Sequence, residues 1–326
     1  MKLGFAIVAA AFLQAAALDA PPPLAVVELA PGVHEIPSVR VPDRGPDGNT
    51  IIFEAPEGLI VVDTGRHLWQ SDAILAFARA QGRPIAAIIN THWHLDHASG
   101  NARLKAAFPY ARVYTTNAVE RALAEGGFLE RDQRNIPAYL ASPDLNDTQK
   151  DDVRIFQDTW NQRDFLRPDV IVAHSGAMQI AGRELDIRVT DRAVTDADIW
   201  IFDAASGIIV LGDLVTMPVP YFETACPQHW RAALDQVMMT PFTRAVPGHG
   251  DVMTRDQFNT YRTAFGAFVD CVNSPAPASS CGTLWSERIE VLINDPERLP
   301  RIARNAEYYV GYLREHGGKS RDCLAR

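Results

Sequence analysis

The chain of 326 residues has no surplus of positive charge: 31 Lys and Arg stand against 40 Asp and Glu, a formal net charge of −9. Broad nucleic-acid binding needs a basic footprint to displace counterions from phosphates, so that class is excluded. Past residue 20 no apolar run is long enough to cross a bilayer, which excludes an integral membrane protein. The sequence also lacks a Ser-His-Asp pattern, a phosphate-binding glycine loop and a dinucleotide fingerprint, so the enzyme classes built on those find no support. Cysteine is scarce, with four residues in all. Charged residues make up 22% and hydrophobic ones 47%, a balance that excludes a disordered chain. The length allows one large domain or two small ones.

What is present begins at the N-terminus. Met1-Lys2 precedes an apolar run from Leu3 to Leu13, then Gln14 and the small stretch Ala15-Ala16-Ala17. A short basic start, a short apolar stretch and an Ala-x-Ala pattern predict a secretory signal over residues 1–20, cleaved after Ala17 or Ala20. A short membrane anchor or a buried helix is the alternative, disfavoured by the length of the run and by Pro21, Pro22 and Pro23 behind it. The mature chain is expected in the periplasm or secreted. There Cys226, Cys271, Cys281 and Cys323 can pair in three ways, and the loop-like segment between Cys271 and Cys281 favours that pair as a disulfide.

Thr50–Ala55, Pro56-Glu57-Gly58 and Leu59–Asp63 read as strand, turn, strand, followed by a helix around Asp72 to Ala80. Ile85–Asn90 is a continuous apolar run, as in a strand buried on both faces. A helix is predicted from Ala98 to Phe108 and a strand from Ala111 to Thr116. Residues 117–168 read as charged helices, most simply a solvated surface, otherwise a lid. Strands resume at Met178–Ile180 and Glu184–Thr190, and Ile199–Phe202 pairs with Ile208–Leu211 as a hairpin. Helices are predicted near His229 to Met239, beyond Thr254, and at the end through about Leu313. Short strands interleaved with helices predict an α/β layer stack.

Asp63, the segment His92–His97, Asp213 and His249 each follow a predicted strand. Ligands of α/β sheets gather where strands end, so these residues are expected to converge. His92-x-His94-x-Asp96-His97 puts four candidate ligands into six residues. A lone core histidine is usually a satisfied hydrogen-bonding group; three with an aspartate have no such explanation. Imidazole with carboxylate suits zinc or iron better than calcium or magnesium.

At these residues the chain resembles the metallo-β-lactamase superfamily, over about residues 26–265. The ordered elements are Asp63, the motif at 92–97, Gly212-Asp213 and Gly248-His249-Gly250. Asn90-Thr91-His92-Trp93-His94 with Gly100-Asn101 is most similar to an exported, quinoprotein-relay-type branch. The resemblance implies an αβ/βα four-layer sandwich over residues 21–265 with a helical C-terminal extension over 266–326. It implies that His92 and His94 hold one metal ion, that Asp96, His97 and His249 hold a second, and that Asp213 bridges them. Asp63 then orients a ligand by hydrogen bonding. Zinc is expected, one or two ions, with iron or manganese as alternatives.

One position departs from the pattern. The family places a further metal-binding His in a His-Thr-x-x-Asp loop, and here the loop reads Val194-Thr195-Asp196-Ala197-Asp198. Valine cannot ligate. Either one metal is held at Asp96, His97 and His249, or His67, His174, His229 or Asp196 fills in, or the site has lost catalysis. The expected activity is hydrolysis of an amide, lactone or thioester carbonyl by a hydroxide made on the metal, with Asp96 as catalytic base or orienting group. A small-molecule substrate is the expected partner, with no nucleic acid and no stable membrane insertion after signal cleavage. The alternatives are a degenerate metal- or ligand-binding protein without turnover, a metallo-β-lactamase, and the sulfur chemistry of a few iron-containing relatives. Trp93 and the loop Met217–Phe222 are candidate pocket walls; packing into the core is the other reading for both.

Overall fold

A computed structural model describes residues 24–323, and the signal-like segment 1–20 lies outside them. The chain opens with a meander of β1 (Val27–Ala30), β2 (Val33–Ile36), β3 (Thr50–Ala55) and β4 (Gly58–Val62). β5 (Ile85–Ile89), β6 (Arg112–Thr115) and β7 (Val170–Ile171) add to it in parallel, giving seven strands in chain order. The second sheet has six strands: β8 (Gly176–Ile180), β9 (Arg183–Asp191), β10 (Ala197–Asp203), β11 (Ile208–Val210), β12 (Arg244–Val246) and β13 (Met253–Thr254). Within it only β11 and β12 run parallel.

Strand alternation explains the stacking. Ile51, Phe53, Ile60, Val62 and Ile89 face Leu185, Ile187, Ile201 and Val210 of the other sheet in one dry cluster. Their neighbours Ile52, Leu59, Val61 and Ile88 point the other way, under α1 (Leu68–Gln81). Successive side chains on a strand alternate faces, so central strands covered on both sides read as unbroken apolar runs. Behind the second sheet, Trp200, Phe202 and Ile209 pack against Trp230 of α7 (Pro227–Met238) and Phe265 of α8 (Arg255–Val272). The same cluster takes in Trp285 of α9 (Ala278–Arg288) and Val310 of α10 (Leu299–Glu315). The layers are helix, sheet, sheet, helix, as expected.

Several boundaries differ from the sequence reading. α1 starts four residues before Asp72, on the His67 cap. The segment predicted as one helix from Ala98 to Phe108 is instead α2 (Leu95–Ala98) and α3 (Asn101–Ala107). Between them Gly100 presses on the Thr64 carbonyl, which a Cβ would approach to 2.3 Å. Residues 117–168 form α4 (Ala118–Leu123), α5 (Phe128–Ala141) and α6 (Asp147–Asn161). The C-terminal region holds two helices after α8, and α8 runs unbroken across residue 265. Cys271 and Cys281 are bonded, joining the last turn of α8 to α9, and Cys226 is bonded to Cys323. Among the described residues no helix is long and apolar enough to cross a membrane.

Candidate metal centre

The functional side chains sit where strands run out. β4 delivers Asp63, held in the left-handed region at φ 59°. β5 leads into Thr91 and His92, α2 carries Asp96 and His97, β11 leads to Asp213, and β12 to His249. All are buried: His92 is 2% exposed, His97 0%, Asp213 4% and His249 7%.

Hydrogen bonds behind the cluster fix which nitrogen of each imidazole faces inward. Asp63 accepts from the Thr91 amide at 2.8 Å and the Thr91 hydroxyl at 2.7 Å, and lies 2.7 Å from His97 Nδ1. His97 Nδ1 therefore carries the hydrogen, leaving a lone pair on Nε2. The Thr91 hydroxyl, its hydrogen used on Asp63, accepts from His92 Nδ1 at 3.0 Å, which leaves the His92 Nε2 lone pair free. Thr224 repeats the device: its hydroxyl donates to the Val194 carbonyl at 2.8 Å and so accepts from His94 Nε2 at 3.0 Å. His94 Nδ1 is left as an acceptor, 3.9 Å from Asp213 Oδ2.

These lone pairs converge on carboxylates. Asp213 lies 3.1 Å from His97 Nε2, 3.3 Å from His249 Nε2 and 3.7 Å from His92 Nε2. Asp96 is 3.1 Å from His249 Nε2. His92, His97 and Asp213 form one compact donor set, and Asp96, His97 and His249 a second. His92 Nε2 and Asp213 Oδ1 are both buried without a hydrogen-bond partner. Burial, with His97 and His94 beside it, holds His92 well below its ordinary pKa, so it is a neutral imidazole. Asp213 resists the upward push of burial and is held well below the usual carboxylate range by His249 and His97. A neutral His92 stands beside ionised carboxylates that raise His97 and His249 against the effect of burial, a charge balance that a divalent cation can take over from those protons.

Two glycines are fixed by this geometry. A Cβ on Gly48 would fall 2.4 Å from His97 Cε1, and one on Gly248 2.2 Å from Asp213 Oδ1. Asn49, beside Gly48, ties the halves together. Its amide donates to the Gly248 carbonyl at 2.7 Å, and its side chain donates to Pro247 and Gly250 at 3.0 and 2.8 Å. Sequence reasoning passed over Gly48, Asn49 and Thr224, since Asp-Gly-Asn reads as an ordinary turn and Thr224 lies in an unremarkable loop.

Val194 is packed in the apolar cluster behind the second sheet, and the rest of its loop has a structural role. Asp198 accepts from the amides of Val194 and Thr195, both at 3.0 Å, and from the Thr195 hydroxyl at 2.8 Å. Burial pushes Asp198 up to about 7. Among the suggested substitutes, His67 has both ring nitrogens engaged, with Asp47 at 2.9 Å and Asp152 at 3.1 Å. His174 and His229 are exposed, and Asp196 pairs with Arg121. None of the four belongs to either donor set.

The cluster opens into a cavity of about 930 Å³. Met217, Pro218 and Val219 wall it, as does Trp93, whereas Phe222 at the end of the same loop is fully buried. Phe128 of α5 and Phe156 of α6 line it too, so the charged insert covers the site as well as meeting solvent. Arg66 lies 3.9 Å from Asp96 on the cavity floor.

A sequence profile of the metallo-beta-lactamase superfamily matches residues 43–249. Over 50 residues, 15% of this chain, it is 52% identical to a linear primary-alkylsulfatase from a Pseudomonas species, spanning 10% of that protein. Over 52 residues, 16% of this chain, it is 44% identical to a hydroxyacylglutathione hydrolase from a Synechococcus species, spanning 20% of that protein. The chain thus matches a fifth or less of the length of these curated relatives. The solved structure of a metallo-beta-lactamase from Pontibacter korlensis shares the fold, with a TM-score of 0.54 over 74% of this chain and 99% of that one, at 16% identity. The profile match takes in more than half of the chain and every residue from Asp63 to His249, and the chain therefore belongs to the metallo-beta-lactamase superfamily.

Proposed function

We propose that the protein is an exported hydrolase that cleaves an amide, lactone or thioester carbonyl with zinc or a similar ion. His92, His94 and Asp213 hold one metal position, and Asp96, His97, His249 and the shared Asp213 the other. The observation that carries this reading is the convergence of imidazole lone pairs on Asp213 and Asp96 at the floor of the cavity. The second position has the fuller protein set, so it is the one filled first. Such an ion supplies an acidic water and polarises the carbonyl under attack. Asp96, beside Arg66, orients the attacking water and takes its proton. Asp63 and Thr224 keep His97 and His94 in the ligating tautomers, and the apolar wall from Met217 to Val219 excludes bulk water. The two disulfides support export, since such bonds persist in oxidising compartments.

The test is metal content per chain in protein purified without chelator, by inductively coupled plasma mass spectrometry, beside turnover of lactone, β-lactam and thioester substrates. About one equivalent, with turnover abolished by chelator, is expected; about two would show that the His92–His94 position also fills despite Val194. Tight metal binding without turnover of any substrate would overturn the hydrolase reading and leave a binding protein. A second reading, cleavage of a sulfate ester, is favoured by the local match to an alkylsulfatase. Release of sulfate from decyl sulfate in the same assay would establish it.

A further inference from the structure

The cavity that holds the acidic centre is also lined by arginines. Arg40, in the loop after β2, and Arg298 and Arg301, at the start of α10, all line the cavity that holds His94, Asp96, Asp213 and His249. None of the three is within ion-pair distance of a carboxylate among the described residues. The other two arginines that line the cavity each meet a carboxylate: Arg44 pairs with Asp152, and Arg66 lies 3.9 Å from Asp96. Arg40 and Arg301 are exposed and Arg298 is half-buried, so all three remain reachable from the cavity mouth.

Their placement also works against the helix that carries two of them. Arg298 is the N-cap of α10 and Arg301 stands in its first turn, with no acidic residue there. The positive end of a helix dipole favours anions and disfavours cations, so the fold by itself gains nothing from this arrangement. Arg40, though exposed, is held below its ordinary value by what burial it has and by the charges of Arg301 and Arg298. Arg298 Nε is buried without a hydrogen-bond partner.

We propose that the cavity takes a substrate bearing a carboxylate remote from its scissile bond, and that Arg40, Arg298 and Arg301 hold that carboxylate. The proposal rests on the hydrolase reading of the same cavity and names its substrate class. Planar guanidinium forks match a carboxylate bidentately, and three of them around one anion turn mutual repulsion into attraction. The C-terminal extension then selects the substrate, while the sheet edges perform the chemistry.

Two measurements test it on the protein as purified. Mono-para-nitrophenyl esters of succinate, adipate and suberate are compared with neutral para-nitrophenyl alkanoates of equal length. At least one anionic ester is expected to show a kcat/KM about tenfold or more above its neutral partner. The triple variant Arg40→Gln, Arg298→Gln, Arg301→Gln should abolish that preference through KM; Arg304→Gln, on the same helix but outside the cavity lining, should leave it intact. Calorimetric titration with adipate reads the subsite without turnover: binding should weaken about tenfold or more in the triple variant and not in Arg304→Gln. Equal turnover of both ester series with adipate binding indifferent to the arginines would overturn the proposal and leave the hydrolase standing. Arginine-dependent adipate binding without turnover of any ester would keep the anion subsite and sink the hydrolase.

Discussion

At the scale of single residues, the centre depends on groups that never touch a ligand. Thr224 accepts from His94 Nε2 only because its own hydrogen goes to the Val194 carbonyl. Thr224→Val removes that acceptor, frees His94 to turn its other nitrogen inward, and is expected to weaken metal affinity about 10- to 100-fold. Thr224→Ser should restore it, and competition with a fluorescent chelator measures both; equal affinity in all three proteins would remove Thr224 from the site. Gly248→Ala drives a Cβ into Asp213 and is expected to lower metal content and kcat/KM by at least about tenfold while far-ultraviolet circular dichroism is retained. The candidate ligands were legible because four of them fall within six residues and the rest follow strands. Thr224, Gly48 and Asn49 were not, since their roles arise from chain segments that meet only in the fold. The loop around Val194 was half legible: the family resemblance placed Thr195 and Asp198, but Asp198 serves the loop itself, accepting from its amides and from the Thr195 hydroxyl.

At the scale of elements, His67 joins three segments. As the cap of α1 it binds Asp47, in the strap that leads to Gly48, and Asp152 of α6, which Arg44 also pairs, while Trp69 stacks on its ring. Burial alone would lower this imidazole, but the hydrogen bonds to Asp152 and Asp47 win and raise it above its ordinary value of 6.5. A folded-state pKa above the unfolded one stabilises fully below the unfolded value and is lost as pH rises through the folded one. The hold of α6 on the strap should therefore loosen as pH rises from the ordinary histidine value through the raised one, and His67→Gln should show less of that dependence. Hydrogen exchange of α6 amides at the two ends of the range checks it; identical pH dependence in both proteins would rule His67 out as the source. The sequence marked 117–168 as charged helices and His67 only as one of several residues that could fill in for the missing ligand. It gave no sign that the two meet over the site, because a solvated helix and one with a single apolar edge toward a cavity share the same polar composition.

At the scale of the molecule, the layer order was legible because strands covered on both faces leave continuous apolar runs, as Ile85–Ile89 does. The tail was less so: Ala278-Ser279-Ser280-Cys281-Gly282 gives little helical signal, yet Cys281 and Trp285 are fully buried against the second sheet's helices. What holds this tail is a long-range clasp. Cys226–Cys323 closes 97 residues, Ser320 donates to the Ala225 carbonyl at 3.1 Å, and Asp322 takes both Arg131 contacts, at 3.0 and 2.8 Å, from α5. The clasp thus joins the insert, α7 and the end of the chain around the wall that α10 supplies. In the chain-entropy description a loop of that length is worth about 4 to 5 kcal/mol, more than the bond across Cys271–Cys281 with its separation of 10. Cys226→Ser with Cys323→Ser is therefore expected to lower denaturant stability by several kcal/mol, about 3 to 5, and more than Cys271→Ser with Cys281→Ser. If α10 is positioned by the clasp, the first pair should also raise KM for the anionic esters more than for the neutral ones, at denaturant-free conditions where both proteins remain folded. A stability loss without that KM split would mean that Ile302, Val310 and Leu313, all buried in the helix layer, hold α10 over the cavity by packing alone.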